Sequence, residues 1–593
     1  MALIDKASLL MVPSTYEAGK LYNVLPSGNR APDSTNQNSG YDQTRADFTF
    51  DRGSNASATR IGSDGLIKKY RENKLLQSNA FSTSPWNTNL VTATSGQSGY
   101  DGNTNAWKID LTGATGNLAV GGLSVGNVGT YSVYAKAGTL NWIVLGSQSG
   151  NIQAYINLSD GSIGTTGALV IEAKTEDVGG GWYRCSMTYS GTATVARVYP
   201  AQANGDLTAT SGNILIQNAQ VESGLVATDY LDSTSVTGKA GVLVDLPRIN
   251  YDANGQNGSL LLEPSRQNLV TQSEVFDIDT AFIPSGRPSV EKNVIISPEG
   301  LQNATRLIYG VGNSLRNGPE FTFANAYTYS IFVKKDVGRY VTIYAAFFTT
   351  SATIGFDLDE GTCQAGGVIE PYGNDWYRIS VSKSVSGDAD KSGYFYLYST
   401  DALGSTISKN GNKLYVWGNQ IEEGNYVSSY IPTMGTSETR AADSITADGT
   451  GLTSTTKGSI FVDFNRGATS ATTRDASNDG LYFRSDNFPG TDSFEIATDT
   501  DGSVRFSKRV NSSFFGFYTD NSTDRYKCVF KWNAGAVKFY VNGTQEYTSG
   551  SGFNITNVLD EIGYSPDFKK SVTQIALFNE EITDAEAITL TTL

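Results

Sequence analysis

Hydrophobic and polar positions alternate with a period of two over short stretches of this chain. Tyr131, Val133 and Ala135 alternate with Ser132, Tyr134 and Lys136, and Tyr329, Ile331 and Val333 repeat the pattern farther on. That period belongs to a strand with one face buried. Asp160-Gly161 and Glu360-Gly361 punctuate such runs as turns, with no amphipathic helical stretch between them. Residues 459–464, 529–532 and 536–541 also read as strands, the last followed by the tight-hairpin pair Asn542-Gly543. Only Thr583-Asp-Ala-Glu586 signals a helix, through a capping box. The pattern predicts an all-β chain of sandwiches or jelly rolls.

Internal repetition sets the domain organisation. Leu75-Leu-Gln-Ser-Asn-Ala-Phe81 returns as Leu269-Val-Thr-Gln-Ser-Glu-Val-Phe276, and Thr130-Tyr-Ser-Val-Tyr-Ala-Lys136 as Thr328-Tyr-Ser-Ile-Phe-Val-Lys334. Leu158-Ser-Asp-Gly161 matches Leu358-Asp-Glu-Gly361, and Trp182-Tyr-Arg184 matches Trp376-Tyr-Arg378. Gln220-Val-Glu-Ser-Gly224 pairs with Gln420-Ile-Glu-Glu-Gly424. Their unchanged order defines two copies of one module, 74–240 and 268–440, joined by a linker over 241–267. Residues 441–593 form a third, separate β-sandwich. Residues 1–73 combine a short apolar start, a turn-rich stretch over 26–40 and the strand-like Asp47-Phe-Thr-Phe-Asp51. Such a segment buries little surface by itself, so it is expected to be an N-terminal arm that anchors on a neighbouring protein. Deleting residues 1–45 is then expected to leave all three β modules folded.

Composition narrows the chemistry. Charged residues are 17% of the 593, against about 25% in ordinary soluble domains, while glycine (63) and tyrosine (32) are abundant. The net charge of −15 argues against nucleic-acid and anionic-membrane partners. Histidine is absent, which removes Ser-His-Asp triads, His-ligated metals and imidazole acid–base catalysis. Cys185, Cys363 and Cys528 lie too far apart for a disulfide framework or a metal-ligand motif and read as small buried hydrophobes. The N-terminal apolar run over 9–12 is too short for a secretory signal, and no stretch of about 18 apolar residues could span a membrane. The chain is therefore expected to be made in a cytoplasm without export machinery and without membrane insertion.

Several stretches carry a family resemblance. Ala58-Thr-Arg-Ile61, Asp64-Gly-Leu-Ile67, Glu72-Asn73, Pro247-Arg-Ile-Asn-Tyr251 and Ser259-Leu-Leu-Leu-Glu-Pro264-Ser-Arg-Gln-Asn-Leu269 resemble lead-in segments of tailed-bacteriophage structural proteins. The repeats, with Gly181-Trp-Tyr-Arg184 and Tyr430-Ile-Pro432, are similar to carbohydrate-binding-module-like jelly rolls of phage head-spike and tail-fibre proteins. Lys538-Phe-Tyr-Val-Asn-Gly543 and Ala576-Leu-Phe-Asn-Glu-Glu-Ile-Thr-Asp-Ala-Glu586 resemble the laminin-G/concanavalin-like fold. The resemblance implies a virion structural protein, a fibre or capsid-decoration chain made in the host cytoplasm. Its arm would bind capsid or tail proteins, the chain would form a homo-oligomer, and its modules would attach to host or environmental polysaccharide. A receptor-binding tail fibre is the alternative, and a polysaccharide depolymerase a more remote one.

Candidate site residues follow. Trp182 and Trp376, at equivalent repeat positions, read as core residues with Tyr131 and Tyr329. Trp86, Trp107 and Trp142 have no tryptophan counterpart in the second copy and are the candidates for glycan-stacking platforms. Asp357, Asp359 and Glu360 are the candidate oxygen ligands for a Ca²⁺ ion, which the reading admits without requiring. Solvated turn carboxylates account for them equally well. Residues 445–593 contain no alternating carboxylate run of the glucanase type, so no catalytic residue is assigned and a non-enzymatic chain is expected.

Overall fold

The computed structural model describes residues 3–13, 16–17, 20–21, 47–53, 57–244, 246–252, 254–276, 286–317, 326–346, 351–384, 394–448, 452–466, 480–485, 492–498, 504–510, 513–520, 522–550, 559, 561–564 and 570–593. The turn-rich stretch over 26–40 lies outside them.

The architecture is all-β. In the first module, one six-stranded antiparallel sheet runs Val170–Gly179, Trp182–Ser190, Val128–Ala137, Asn213–Ser223, Ala106–Leu111, Val91–Gln97. The facing sheet runs Ile163–Thr166, Gln153–Asn157, Trp142–Gly146, Val195–Ala201, Asn117–Gly121, Asn87–Asn89. Tyr131, Val133 and Ala135 from the first sheet meet Ile143, Leu145 and Val198 from the second in a closed apolar core. The second module repeats this with Ser289–Ile295, Ala304–Ile308, Lys413–Glu423, Ala326–Val337, Trp376–Ser384, Gly367–Tyr372 facing a five-stranded sheet. That smaller sheet runs Leu315–Asn317, Tyr394–Thr400, Tyr340–Ala346, Ala352–Asp357, Thr362–Cys363.

Register confirms that the modules are copies. Tyr131 lies between Met187 and Val221, and Tyr329 between Val381 and Ile421. Lys136 opposes Trp182 as Lys334 opposes Trp376. A bulge falls at the same place in both, where Asn218 (φ 53°) and Gly418 (φ 62°) take the left-handed backbone that relieves the extra residue. Tyr131 and Tyr329 sit in the sandwich cores. Trp182 and Trp376 are buried too, but on the opposite face of their sheet: Trp376 packs with Ile67, Phe332, Trp417 and Tyr430. Their strand position is as expected, and the covering layer comes from elsewhere in the chain.

The repeated Gln-x-Glu motif explains that covering layer. Gln420 accepts from Ile431 N–H and donates to Glu422, whose carboxylate accepts from Ser428 N–H. Gln220, Leu231, Glu222 and Thr228 make the same bonds. Asn73 and Asn268 complete each latch by donating to two carbonyls and accepting two backbone N–H groups. Each module thus ties its C-terminal tail across one sheet, leaving the outer face of the other sheet as the remaining broad surface.

The third sandwich is assembled from three separated stretches of chain, which corrects two expectations. Its eight-stranded sheet holds Lys457–Asn465, Arg525–Asn533, Ala536–Val541, Thr544–Ser549 and Lys570–Phe578. It also takes in Ile249–Asn250, Ser259–Leu262 and, against the last of the C-terminal strands, Leu9–Met11. In its nine-stranded sheet Tyr16–Glu17, Lys20–Leu21 and Phe48–Asp51 continue outward from Ser444–Asp448. Leu9, Met11, Leu21, Phe48 and Phe50, with Leu260 and Leu262, belong to its core. The expected arm and linker are therefore integral strands of this domain, because their apolar residues find partners hundreds of positions away. The Asn542-Gly543 turn has positive φ at both residues, and Thr583 caps the helix Asp584–Thr591 with Glu586 reciprocating. Lys6 also pairs with Glu586, and that bond, with the capping N–H, holds the Glu586 carboxyl near 2. The chain's two ends are thereby fastened together.

Both jelly rolls are insertions into this sandwich. Each is closed at its base by a short ribbon, Arg71–Asn73 with Gly238–Ala240, and Arg266–Asn268 with Glu438–Arg440. Excising 74–237 and joining Asn73 to Gly238 through an Asn-Gly turn should leave the rest of the chain folded. The check is calorimetry: one endotherm should vanish and the others persist, whereas loss of all transitions would contradict the insertion.

Beneath the two bases lies a buried ionic cluster with no side-chain exposure. Arg248 bonds Glu263 (2.8 Å) and Asp443, Arg440 reaches Glu263 (3.2 Å), and Arg52 faces Asp443 at 3.5 Å. Burial, then the neighbouring charge of Arg248, pulls the Arg52 guanidinium down to about 10. The lead-in segments over 247–251 and 259–269 thus meet Arg52, Arg440 and Asp443 at one point, where three arginines and two carboxylates join the sandwich to the second module.

Candidate functional site

The outer face of the five-stranded sheet of the second module is paved with tyrosine. On Tyr394–Thr400, Phe395 and Leu397 point into the core, so Tyr394, Tyr396 and Tyr398 point out. On Tyr340–Ala346, Val341, Ile343 and Ala345 point in, which turns Tyr340, Thr342 and Tyr344 to the same face. Tyr344 lies directly opposite Tyr396, with ring centroids 6.1 Å apart and planes 28° from parallel. Tyr394 and Tyr398 flank Tyr396 at 6.3 and 6.4 Å.

The outer rings are half-buried and Tyr398 is almost enclosed, so their neighbours hold them in place. The Arg316 guanidinium stacks 4.4 Å from the centre of the Tyr394 ring, a cation–π contact that fixes one end of the row. Burial raises the Tyr396 hydroxyl above the usual phenol value despite the opposing pull of Arg316, and burial raises Tyr398 as well. Both therefore stay protonated and able to donate at neutral pH. The Thr342 hydroxyl is fully buried between them and has no hydrogen-bond partner. The surface can stack flat apolar rings and bond hydroxyl groups along a strand, and its chemistry is that of a binding face.

The first module does not present an equivalent row. By register Trp142 is the counterpart of Tyr340, since Trp142 opposes Ala201 and Asn157 where Tyr340 opposes Thr400 and Asp357. A tyrosine thus stands in the second copy where the first has tryptophan. Trp142 is half-buried, packs with Tyr199 and Leu207 over Val144 and Tyr155, and presses on Gly164, where a Cβ would come within 2.8 Å of the ring. Its face is largely spent on packing.

Of the other two tryptophan candidates, Trp86 is corrected by its burial and Trp107 is half-buried. Trp86 is a core residue, edge-on to Phe81 at 5.0 Å, with its indole N–H donating to the Gln77 carbonyl. Trp107 packs against the same Phe81 at 5.9 Å and donates to the Asn79 carbonyl. Trp86 is thereby closed to a sugar, and Trp107, half-buried, has its indole N–H and one side of its ring committed to the core.

The carboxylates considered for Ca²⁺ are already paired. Arg339 forks onto Asp357 (2.8 and 2.6 Å) and Lys335 reaches Asp359 at 2.5 Å, while the backbone N–H groups of Asp359 and Glu360 donate to Asp357. The Arg339 bond holds the Asp357 carboxyl below its ordinary value. Glu360 lies 3.5 Å from the same guanidinium. Two cations thus occupy the place the expectation gave to a metal, and no group of three or more such ligands converges elsewhere among the described residues. Among those residues, too, no helix is long and apolar enough to cross a membrane.

The class defined by this fold and face is an all-β protein of three sandwiches, two of them duplicated jelly rolls. No protein-family model and no curated protein sequence matches the chain. Solved structures similar to it include the tandem CBM22-1–CBM22-2 domain of Paenibacillus barcinonensis Xyn10C. That pair is 12% identical over 63% of this chain and 99% of the other, with a TM-score of 0.20. The CBM40 of the Ruminococcus gnavus IT-sialidase is 15% identical over 23% of this chain and 84% of its own, at 0.19. Domain 4 of the Geobacillus stearothermophilus arabinanase AbnA is 17% identical over 26% and 73%, at 0.21. Scores this low carry no argument about ligand or activity; the fold rests on the strand ladders themselves.

Proposed function

We propose that this chain is a non-enzymatic glycan-binding protein that grips a polysaccharide along the tyrosine face of its second module. The half-buried rings of Tyr394, Tyr396 and Tyr344 carry this reading: three aromatic rings on two adjacent strands, backed by the enclosed Tyr398 and a packed core. Aromatic stacking of this kind adds roughly 0.5–1.5 kcal/mol per contact, so one site is weak and display in many copies would make it effective. The lead-in resemblance favours such display on a tailed-phage virion, as capsid decoration or tail fibre, with the chain as a homo-oligomer.

The test is incubation with a panel of soluble bacterial and algal polysaccharides, followed by size-exclusion chromatography of the glycan. Retention of at least one polysaccharide with unchanged chain length is the expected result. Shortening that disappears on substituting a single carboxylate would overturn the non-enzymatic reading.

A further inference from the structure

A concavity lies where the third sandwich meets the second module, on the opposite sheet of that module from the tyrosine row. Its volume is about 250 Å³, and the strand Thr59–Ile61, Tyr251 and the edge strand Gly367–Tyr372 enclose it. Three tyrosines line it: Tyr430 is buried, and Tyr251 and Tyr372 offer ring surface. Tyr251 packs against the core of the third sandwich and lies on Gly258, where a Cβ would meet its Cε1 at 2.8 Å. Tyr372 is held edge-on by Phe332 at 4.9 Å, within the cluster around Trp376. Each ring has one side against a packed core and lines the cleft with the remainder, so both are positioned before any ligand arrives.

The polar groups around these rings include a cation and an anion, Arg60 and Glu370. Arg60 is half-buried, with one guanidinium nitrogen anchored on the Ile249 carbonyl at 3.0 Å. Glu370 stands exposed beside it on the edge strand. The other charged groups at the cleft are committed: Asp252 accepts from Asn254, Gln256 and Asn257, and Arg378 donates to Ser428 and Ser330. A donor fork and an acceptor lining one cleft, with no net charge, suit a ligand that both gives and takes hydrogen bonds and is itself uncharged. The space is smaller than the roughly 300–1,000 Å³ of sites for drug-sized ligands, which limits it to a single ring.

We infer that this cleft binds one neutral sugar residue, such as the end of an oligosaccharide, stacked between Tyr251 and Tyr372 and hydrogen-bonded by Arg60 and Glu370. The inference rests on the glycan-binding reading but uses a different surface, so the two can fail separately. The full chain is tested by saturation-transfer NMR with glucose, galactose, mannose, N-acetylglucosamine and their β-linked disaccharides. At least one sugar should show transfer, and Glu370→Gln and Tyr251→Ala should each weaken its binding about tenfold. Each comparison is repeated in a Tyr396→Ala background, which takes out the transfer contributed by the tyrosine face. Glu370 is exposed, so its variant keeps the test valid if Tyr251→Ala folds poorly. Transfer that survives Glu370→Gln and a folded Tyr251→Ala, or no transfer from any sugar, overturns the inference. Transfer that is lost in Tyr396→Ala assigns the sugar to the tyrosine face and overturns it equally.

Discussion

Removing residues 1–52 should unfold the third sandwich while both jelly rolls remain folded. The truncation deletes Leu9, Met11, Leu21, Phe48 and Phe50 from one core, each no more than 2% exposed. At about 1.5–3 kcal/mol per fully buried side chain, the loss is roughly 8–15 kcal/mol, as large as the whole stability of a typical domain. It also strips the ladder bonds that Leu9–Met11 makes with Lys570–Phe578, and Phe48–Asp51 with Ser444–Asp448. Limited proteolysis with mass spectrometry is the check. Cleavage should concentrate beyond residue 457 and spare 74–240 and 268–440. A truncated chain as resistant over its C-terminal sandwich as the intact one would show that these strands are dispensable.

The second large effect belongs to the buried ionic cluster. Arg248→Ala removes the guanidinium that bridges Glu263 and Asp443 and leaves each carboxylate with its longer ionic contact, to Arg440 and Arg52 respectively, at zero side-chain exposure. Breaking a buried pair from one side costs about 3–5 kcal/mol, far more than the net worth of the pair. For a domain of this size that lowers the melting temperature by roughly 6–20 °C. The contrasting variant is Arg339→Ala, which breaks a well-formed fork onto Asp357 at a site where the arginine side chain is 41% exposed. Screening holds that loss to about 1 kcal/mol or less. Differential scanning calorimetry of the two variants side by side decides the matter, and equal shifts would contradict the account of the cluster.

How much of this could be read from the chain depended on how local the partners were. The repeats were legible because each copy alternates apolar and polar residues over one strand and carries its own Gln-x-Glu latch a few positions from the tail it binds. The strands over 9–11 and 48–51 were taken for an arm because their partners lie near 576 and 445, and no local pattern announces pairing at that distance. The stretch over 259–262 hides for a second reason: Leu260, Leu261 and Leu262 are all buried, so its period of two is lost. The tyrosine row escaped notice because Tyr394-Phe-Tyr-Leu-Tyr398 is aromatic or apolar at every position, which masks the alternation until the core shows which side is inward. Tryptophan drew attention instead, although Trp86 and Trp107 had been recruited to packing. The carboxylates near 357 looked like metal ligands because Arg339 and Lys335 lie across the strand pairing rather than beside them in sequence.

The central claim concerns the tyrosine face, and affinity electrophoresis tests it most directly. The intact chain and a Tyr344→Ala/Tyr396→Ala variant are run through native gels containing the polysaccharide retained in solution, with circular dichroism and the melting profile confirming that the variant is folded. The account predicts that the intact chain is retarded and that the folded double variant migrates as it does in a gel without polysaccharide. Undiminished retardation of the folded variant would contradict it.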